Sequence, residues 1–168
     1  KAVADAKKNV TDADLEALMI DEFQGPKEFF KLLDMQVSCG TMGMPTATVK
    51  IQTPTGEEKI EARVGTGPVD ACYRAIDTVV QLKNVLIEYS VHSVTEGIDA
   101  LGEVTVRISP AQNGDHEART FGGYGADSDI IVASAKAYMA ALNRMIAVLG
   151  TGEIPAEGVV ASVSVSGD

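Results

Sequence analysis

The sequence predicts an α+β fold built from two pseudo-symmetric βββα units. Three observations carry this reading. The apolar period changes from two residues to 3.6 twice along the chain, each time in the same order. Short identities recur at a near-constant offset: Thr48-Val49-Lys50-Ile51 matches Thr105-Val106-Arg107-Ile108, 57 positions on, and Glu61-Ala62-Arg63 matches Glu117-Ala118-Arg119, 56 positions on. A glycine-framed stretch, GTGPVD at 65–70 and GYGADSD at 123–129, precedes each helical run. Two copies are too few for a solenoid. They are expected to pack as a pseudo-twofold pair, a sheet layer with two helices, whose uncovered face pairs with a second subunit as a dimer.

Taken in order, residues 1–33 read as linker helices. In VTDADLEALMIDEF, Thr11 is an N-cap, Asp12 and Asp14 occupy the first turn, and Leu15, Leu18 and Met19 share one face. Gly25-Pro26 ends that helix. From Met35 the period becomes two: MQVSC, ATVKI and KIEARV each alternate apolar with polar residues, and TPTGEE supplies a hairpin turn between the last two. After GTG, the residues Val69, Cys72, Tyr73, Ile76, Val79 and Val80 follow helical spacing, with Pro68 at the first position, where a missing amide costs nothing. LIEYSVHSV, EVTVRI and HEARTF then repeat the three strands, and ADSDIIVASAKAYMAALNRMIAVL repeats the helix. The chain so divides into a linker at 1–33, a repeat domain at 34–149 with halves 35–84 and 85–149, and a small polar tail at 150–168 that reads as loosely ordered or an edge strand.

Composition narrows the function. A formal charge of −10 without any local Lys/Arg cluster repels phosphate backbones and anionic membrane surfaces, so neither nucleic acid nor membrane is expected as a partner. No uninterrupted apolar run approaches the roughly 18 residues that span a bilayer, and KAVADAKKNV lacks a signal-peptide core, so a cytoplasmic or organelle-stromal location is expected. The chain opens with Lys1 inside a helix-like run and reads as part of something longer. Cys39 and Cys72 are isolated among apolar residues and are expected to be buried thiols; with only His92 and His116, no zinc spacing exists.

No catalytic constellation stands out. A glycine turn that opens a helix presents unpaired amides at the positive end of the helix dipole, where a carboxylate or phosphate can dock, but it serves equally as a purely structural turn. Neither GTG nor GYG completes a dinucleotide fingerprint. Asp127 and Asp129 stand where capping residues stand, and His92 alternates away from Tyr89 and Ser93.

GTGPVDACYRAID, EYSVHSVTEGIDALGEV and GADSDIIVASAKAYMAALNRM, in this order, resemble the C-terminal regulatory domain of the 2-isopropylmalate synthase family. The likeness runs from about Met35 to Ile146, and QVSCGTMGMPTATVKI is most similar to the plant and cyanobacterial branch. The resemblance implies a homodimer of two-unit domains that binds L-leucine as feedback inhibitor. It implies a cytoplasmic enzyme, in the plastid stroma if from a plant. An upstream barrel, absent from this chain, would hold a divalent metal and condense acetyl-CoA with 2-oxoisovalerate; this chain itself implies no cofactor and no acyl transfer. Carried over by motif, the leucine-pocket residues are Gly65, Thr66, Gly67 and Val69 in the first turn, Leu86, Tyr89 and Ser93 on the next strand, Ala100 and Gly102 after the EGID loop, and Ile130 at the second helix start. Two alternatives stay open: an isoleucine-binding domain of the related citramalate synthases, and a ligand-free dimerisation module.

Overall fold

The computed structural model describes residues 28–41, 43–93, 101–111 and 119–150. The proposed linker helix, residues 151–168 of the tail, Ala100 and the first half of HEARTF lie outside the described residues. Within them run β1 (Lys31–Gly40), β2 (Gly43–Gln52), β3 (Glu58–Val64), α1 (Pro68–Val80), β4 (Asn84–Ser93), β5 (Gly102–Pro110), β6 (Phe121–Asp127) and α2 (Ile130–Leu149). They form two antiparallel three-stranded sheets, ordered β1-β2-β3 and β4-β5-β6, each followed by its helix. This is the βββα duplication read from the sequence. KEFFKLLD, read there as the end of the linker, supplies Phe30 to the core and the first four residues of β1.

Alternation decides which face each strand buries. Ala47, Val49 and Ile51 of β2, and Val104, Val106 and Ile108 of β5, are fully buried, while the residues between them face outward. The β2–β3 turn closes with bonds from the amide of Thr53 to Glu57 O (2.8 Å) and from that of Gly56 to Thr53 O (2.9 Å), and Gly56 takes the positive φ of 86° that the turn requires. α1 starts at Pro68, as expected.

Strand register gives the internal symmetry a sharper form. Val49 pairs with Met35 and Glu61, and Val106 pairs with Tyr89 and Gly123. The equivalent pairs are therefore Met35/Tyr89, 54 apart, Val49/Val106, 57 apart, and Glu61/Gly123, 62 apart. A register shift just before Asp34 in β1 recurs just before Glu88 in β4, again 54 apart. The helix starts, Pro68 and Ile130, keep the offset of 62.

Two expectations need correction. Glu117-Ala118-Arg119 is not the counterpart of Glu61-Ala62-Arg63, because the longer β5–β6 connection moves the third strand along the chain. GYG is not a turn: Gly123, Tyr124 and Gly125 lie within β6, and the true counterpart of Gly65-Thr66-Gly67 is Asp127-Ser128-Asp129. The glycines are there because α2 sits on them. A Cβ on Gly123 would coincide with the carbonyl of Ala137, and one on Gly125 with that of Ala133.

Among the described residues no strand of one sheet approaches a strand of the other; the helices join the units. α1 covers β2 and β3, α2 covers β5 and β6, and the helices pack on each other. By length and composition α2 could cross a membrane, yet 61% of its apolar window is buried inside the protein, as befits a core helix. Cys72 is buried in this core, and burial pushes its thiol up to about 12. Cys39 is exposed instead, at the irregular hairpin end of β1, where the register shifts between Ser38 and Gly40.

Candidate functional site

Three contacts set the direction of the helices. Tyr73, early in α1, donates from its hydroxyl to the carbonyl of Ser134, early in α2 (3.2 Å). Its ring stacks on that of Tyr138, with centroids 4.1 Å apart and planes 14° apart. One turn further along each helix, the Tyr138 hydroxyl donates to Asp77 Oδ1 (2.6 Å). Contacts advancing together along both helices mean that they run parallel, with their N-termini at one end of the molecule. The two turns before the helices therefore share an end, although they are not alike.

The first turn is open. Gly67 is the N-cap of α1 and contributes no side chain, so its first-turn amides meet the dipole end uncovered. Its extended φ of −155° suits any residue, and a Cβ there would meet nothing within 4 Å. Gly65 differs: a Cβ would stand 2.7 Å from the Ala71 Cα and clash with the Ala71 amide, so only glycine fits. The Thr66 amide donates to Asp70 Oδ2 (2.8 Å), and Asp70 pairs with Arg74 (2.9 Å). The Thr66 amide bond, chiefly, and Arg74 hold the Asp70 carboxyl below the usual carboxylate range.

The second turn is closed by its own carboxylates. Asp129 caps α2, accepting from the amide of Ile131 (2.8 Å), and Asp127 accepts from the amide of Asp129 (3.0 Å) and from Lys136 (2.7 Å). The Lys136 bond holds Asp127 below its ordinary value. The Ile131 donor at this helix start is thus taken, and two carboxylates flank it. The capping expectation for Asp129 holds.

Around these turns the structure assembles most of the motif residues. Ser93 pairs with Gly102 in the β4–β5 ladder, and a Cβ on Gly102 would stand 2.5 Å from Ile130 Cδ1, so Gly102 seats the side chain that begins α2. Tyr89 reaches α2 through a 2.8 Å bond to Ser134 Oγ. Because Ser134 spends its own hydrogen on the carbonyl of Ile130 (2.6 Å), Tyr89 is the donor. Val69 lies in the first turn of α1, one helical turn before Tyr73. Leu86 stands near the start of β4, opposite Ile108, toward the other end. Ala100 lies outside the described residues.

Sequence reasoning missed Ser134, which links Tyr89, Tyr73 and Ile130; a serine inside an alanine-rich helix was the available signal. It missed also the unusual exposure of β4. Leu86, Tyr89 and Val91 face the helix side of their sheet but stay 44%, 39% and 45% exposed, since the β4 backbone approaches neither helix. Among the described residues no group of three or more His, Cys, Asp or Glu is placed to hold a metal ion.

Comparison with known proteins gives this end of the molecule a context. A sequence profile described as the LeuA allosteric (dimerisation) domain matches residues 9–146. The chain is 56% identical over 149 residues to a 2-isopropylmalate synthase of Picosynechococcus sp., covering 89% of this chain and 27% of that protein. It is 55% identical over 152 residues to that of Trichodesmium erythraeum (90% and 27%), and 57% identical over 146 residues to that of Thermosynechococcus vestitus (86% and 26%). The chain thus spans about a quarter of the length of the curated relatives it matches. It belongs to the LeuA allosteric (dimerisation) domain family carried by 2-isopropylmalate synthases.

Proposed function

We propose that the chain binds L-leucine at the end where both helices begin, and that binding inhibits the acyl transfer of the enzyme that carries it. One observation supports this reading above others. Gly65, Thr66, Gly67 and Val69 stand at the same end as Tyr89, Ser93, Gly102 and Ile130, beside a helix N-terminus that no side chain caps. A free amino acid needs donors for its carboxylate, acceptors for its ammonium and a small apolar wall. The uncapped start of α1 offers the first, Asp70 and the carboxylates of the second turn offer the second, and Val69 and Ile130 offer the third. The exposed apolar face of β4 is the proposed seat of a second copy, which would make the site part of a homodimer interface. In the parent enzyme a divalent metal and the acyl-transfer chemistry would belong to residues upstream.

Calorimetric titration with L-leucine, with L-isoleucine as control, tests the reading. At about a hundredfold excess over Kd, leucine should stabilise the fold by about 2.7 kcal/mol and raise Tm by several degrees. An unchanged Tm at millimolar leucine would overturn it.

A further inference from the structure

A group of polar contacts between distant parts of the chain lies away from the helix N-termini. Asn143, in the last third of α2, is only 3% exposed. Its Oδ1 accepts from the backbone amides of both Phe29 (3.0 Å) and Phe30 (2.9 Å), and its Nδ2 donates to the carbonyl of Phe30 (2.9 Å). One side-chain amide thus makes three bonds to the backbone just before β1. Beside it opens a cleft of about 430 Å³ lined by Phe30, Lys31 and Leu32 on one side and Lys136, Met139 and Ala140 on the other. The contact ties Phe29 and Phe30, at the entrance to β1, to α2.

A buried carboxamide whose oxygen and nitrogen both find partners is well suited to hold a register. It satisfies two donors and one acceptor of an irregular segment, and moving that segment by one residue would leave them unpaired in a dry site. α2 is continuous from Ile130 to Leu149, and its first turns carry Ile130 and Ser134 of the candidate site. We infer that Asn143 is a positioning residue that fastens the segment entering β1 to α2, so that a change at the N-terminal end of α2 is delivered to the chain preceding residue 28. The delivery half of this inference rests on the proposed leucine site; the fastening half does not.

Amide hydrogen exchange on the full chain, read residue by residue, separates the two. Without ligand, the amides of Phe29 and Phe30 should exchange about tenfold faster in Asn143→Ala than in wild type, while β5 and β6 keep their protection. Adding L-leucine should slow both amides in wild type and leave them unchanged in Asn143→Ala. Equal exchange in the ligand-free proteins overturns the fastening. Leucine that binds by calorimetry without altering Phe29 or Phe30 overturns the delivery. If calorimetry finds no binding, the leucine site is what fails, delivery falls with it, and the ligand-free comparison still decides the fastening.

Should Asn143→Ala lose protection throughout, Asn143→Asp replaces it. Its carboxyl still accepts both amides, but can donate to the Phe30 carbonyl only when protonated. Protection at Phe29 and Phe30, corrected for intrinsic exchange, should then fall as pH rises; a flat profile equal to wild type would overturn the role assigned to Nδ2.

Discussion

In the first unit, the positions of β3 that face α1 carry Glu61 and Arg63; in the second, the equivalent positions of β6 are Gly123 and Gly125, and α2 lies on the strand backbone. The first unit leaves its helix start uncapped, whereas the second caps it with Asp129. The first strand differs in the opposite sense: the backbone of β1 comes close to both helices and that of β4 to neither. One duplicated plan has thus been driven apart. The second unit is tight at its helix and bare at its first strand, and the first unit is the reverse. Pseudo-symmetry conserves the path of the chain while packing and electrostatics at equivalent positions diverge.

The largest expected effect sharpens the first contrast. Gly123→Ala places a Cβ into the α2 backbone and should cost more than about 3 kcal/mol in chemical denaturation, whereas Glu61→Ala, at the equivalent position, should cost under about 1 kcal/mol. Similar losses would mean that the two interfaces are alike after all. Next come the first strands. Val37→Lys should cost about 2 kcal/mol because Val37 packs on the core, while its counterpart Val91→Lys should leave the single chain within about 0.5 kcal/mol of wild type and lower the sedimentation mass if β4 seats a second copy.

Smaller effects address the helix starts. Asp129→Ala should cost about 1 kcal/mol through the lost cap, and Gly67→Asp, which fits the open space, should gain about 0.5 kcal/mol while abolishing any leucine-induced rise in Tm. A Gly67→Asp variant that still responds fully to leucine would place the ligand elsewhere.

The smallest effect concerns Asp77, which stands where α2 has Met139. Burial, chiefly, raises its carboxyl above the ordinary 3.8, against the lowering bonds from Tyr138 and Asn84. The folded state therefore favours the protonated form. That contribution is complete below 3.8 and is lost as pH rises through the elevated value. Denaturation of Asp77→Asn across pH 3 to 7 should lack this decline, so that the variant gains on wild type as pH rises.

How much of this was legible in the sequence follows from what each element shows to water. β2 and β5 alternate fully buried aliphatics with polar residues, which a period of two reveals directly. α1 announces itself through Pro68 and its apolar stripe. β6 was misread because its helix-facing residues are glycines, which bury backbone rather than side chain and leave no hydrophobic alternation. Cys39 was expected inside because its neighbours are apolar, but the register shift at the hairpin end carries it outward. Within the site, the motif residues were named from resemblance, yet the difference between an open and a self-capped helix start was hidden in Asp127-Ser128-Asp129, a stretch that local reading took only for a cap. The Asn143 bonds join residues more than a hundred positions apart, and no local pattern signals them.

The glycine floor beneath α2 has one more mechanical meaning. Ala133, Ala137 and Ala141 recur at every turn along the seat, so a glide of one turn would set alanine where alanine had been. Such a surface resists being pried apart but does little to stop axial travel. The detents that arrest it are polar, among them Tyr138 on Asp77, Tyr89 on Ser134, Lys136 on Asp127 and Asn143 on the incoming backbone, and together they make a locked helix of what would otherwise be a sliding bolt.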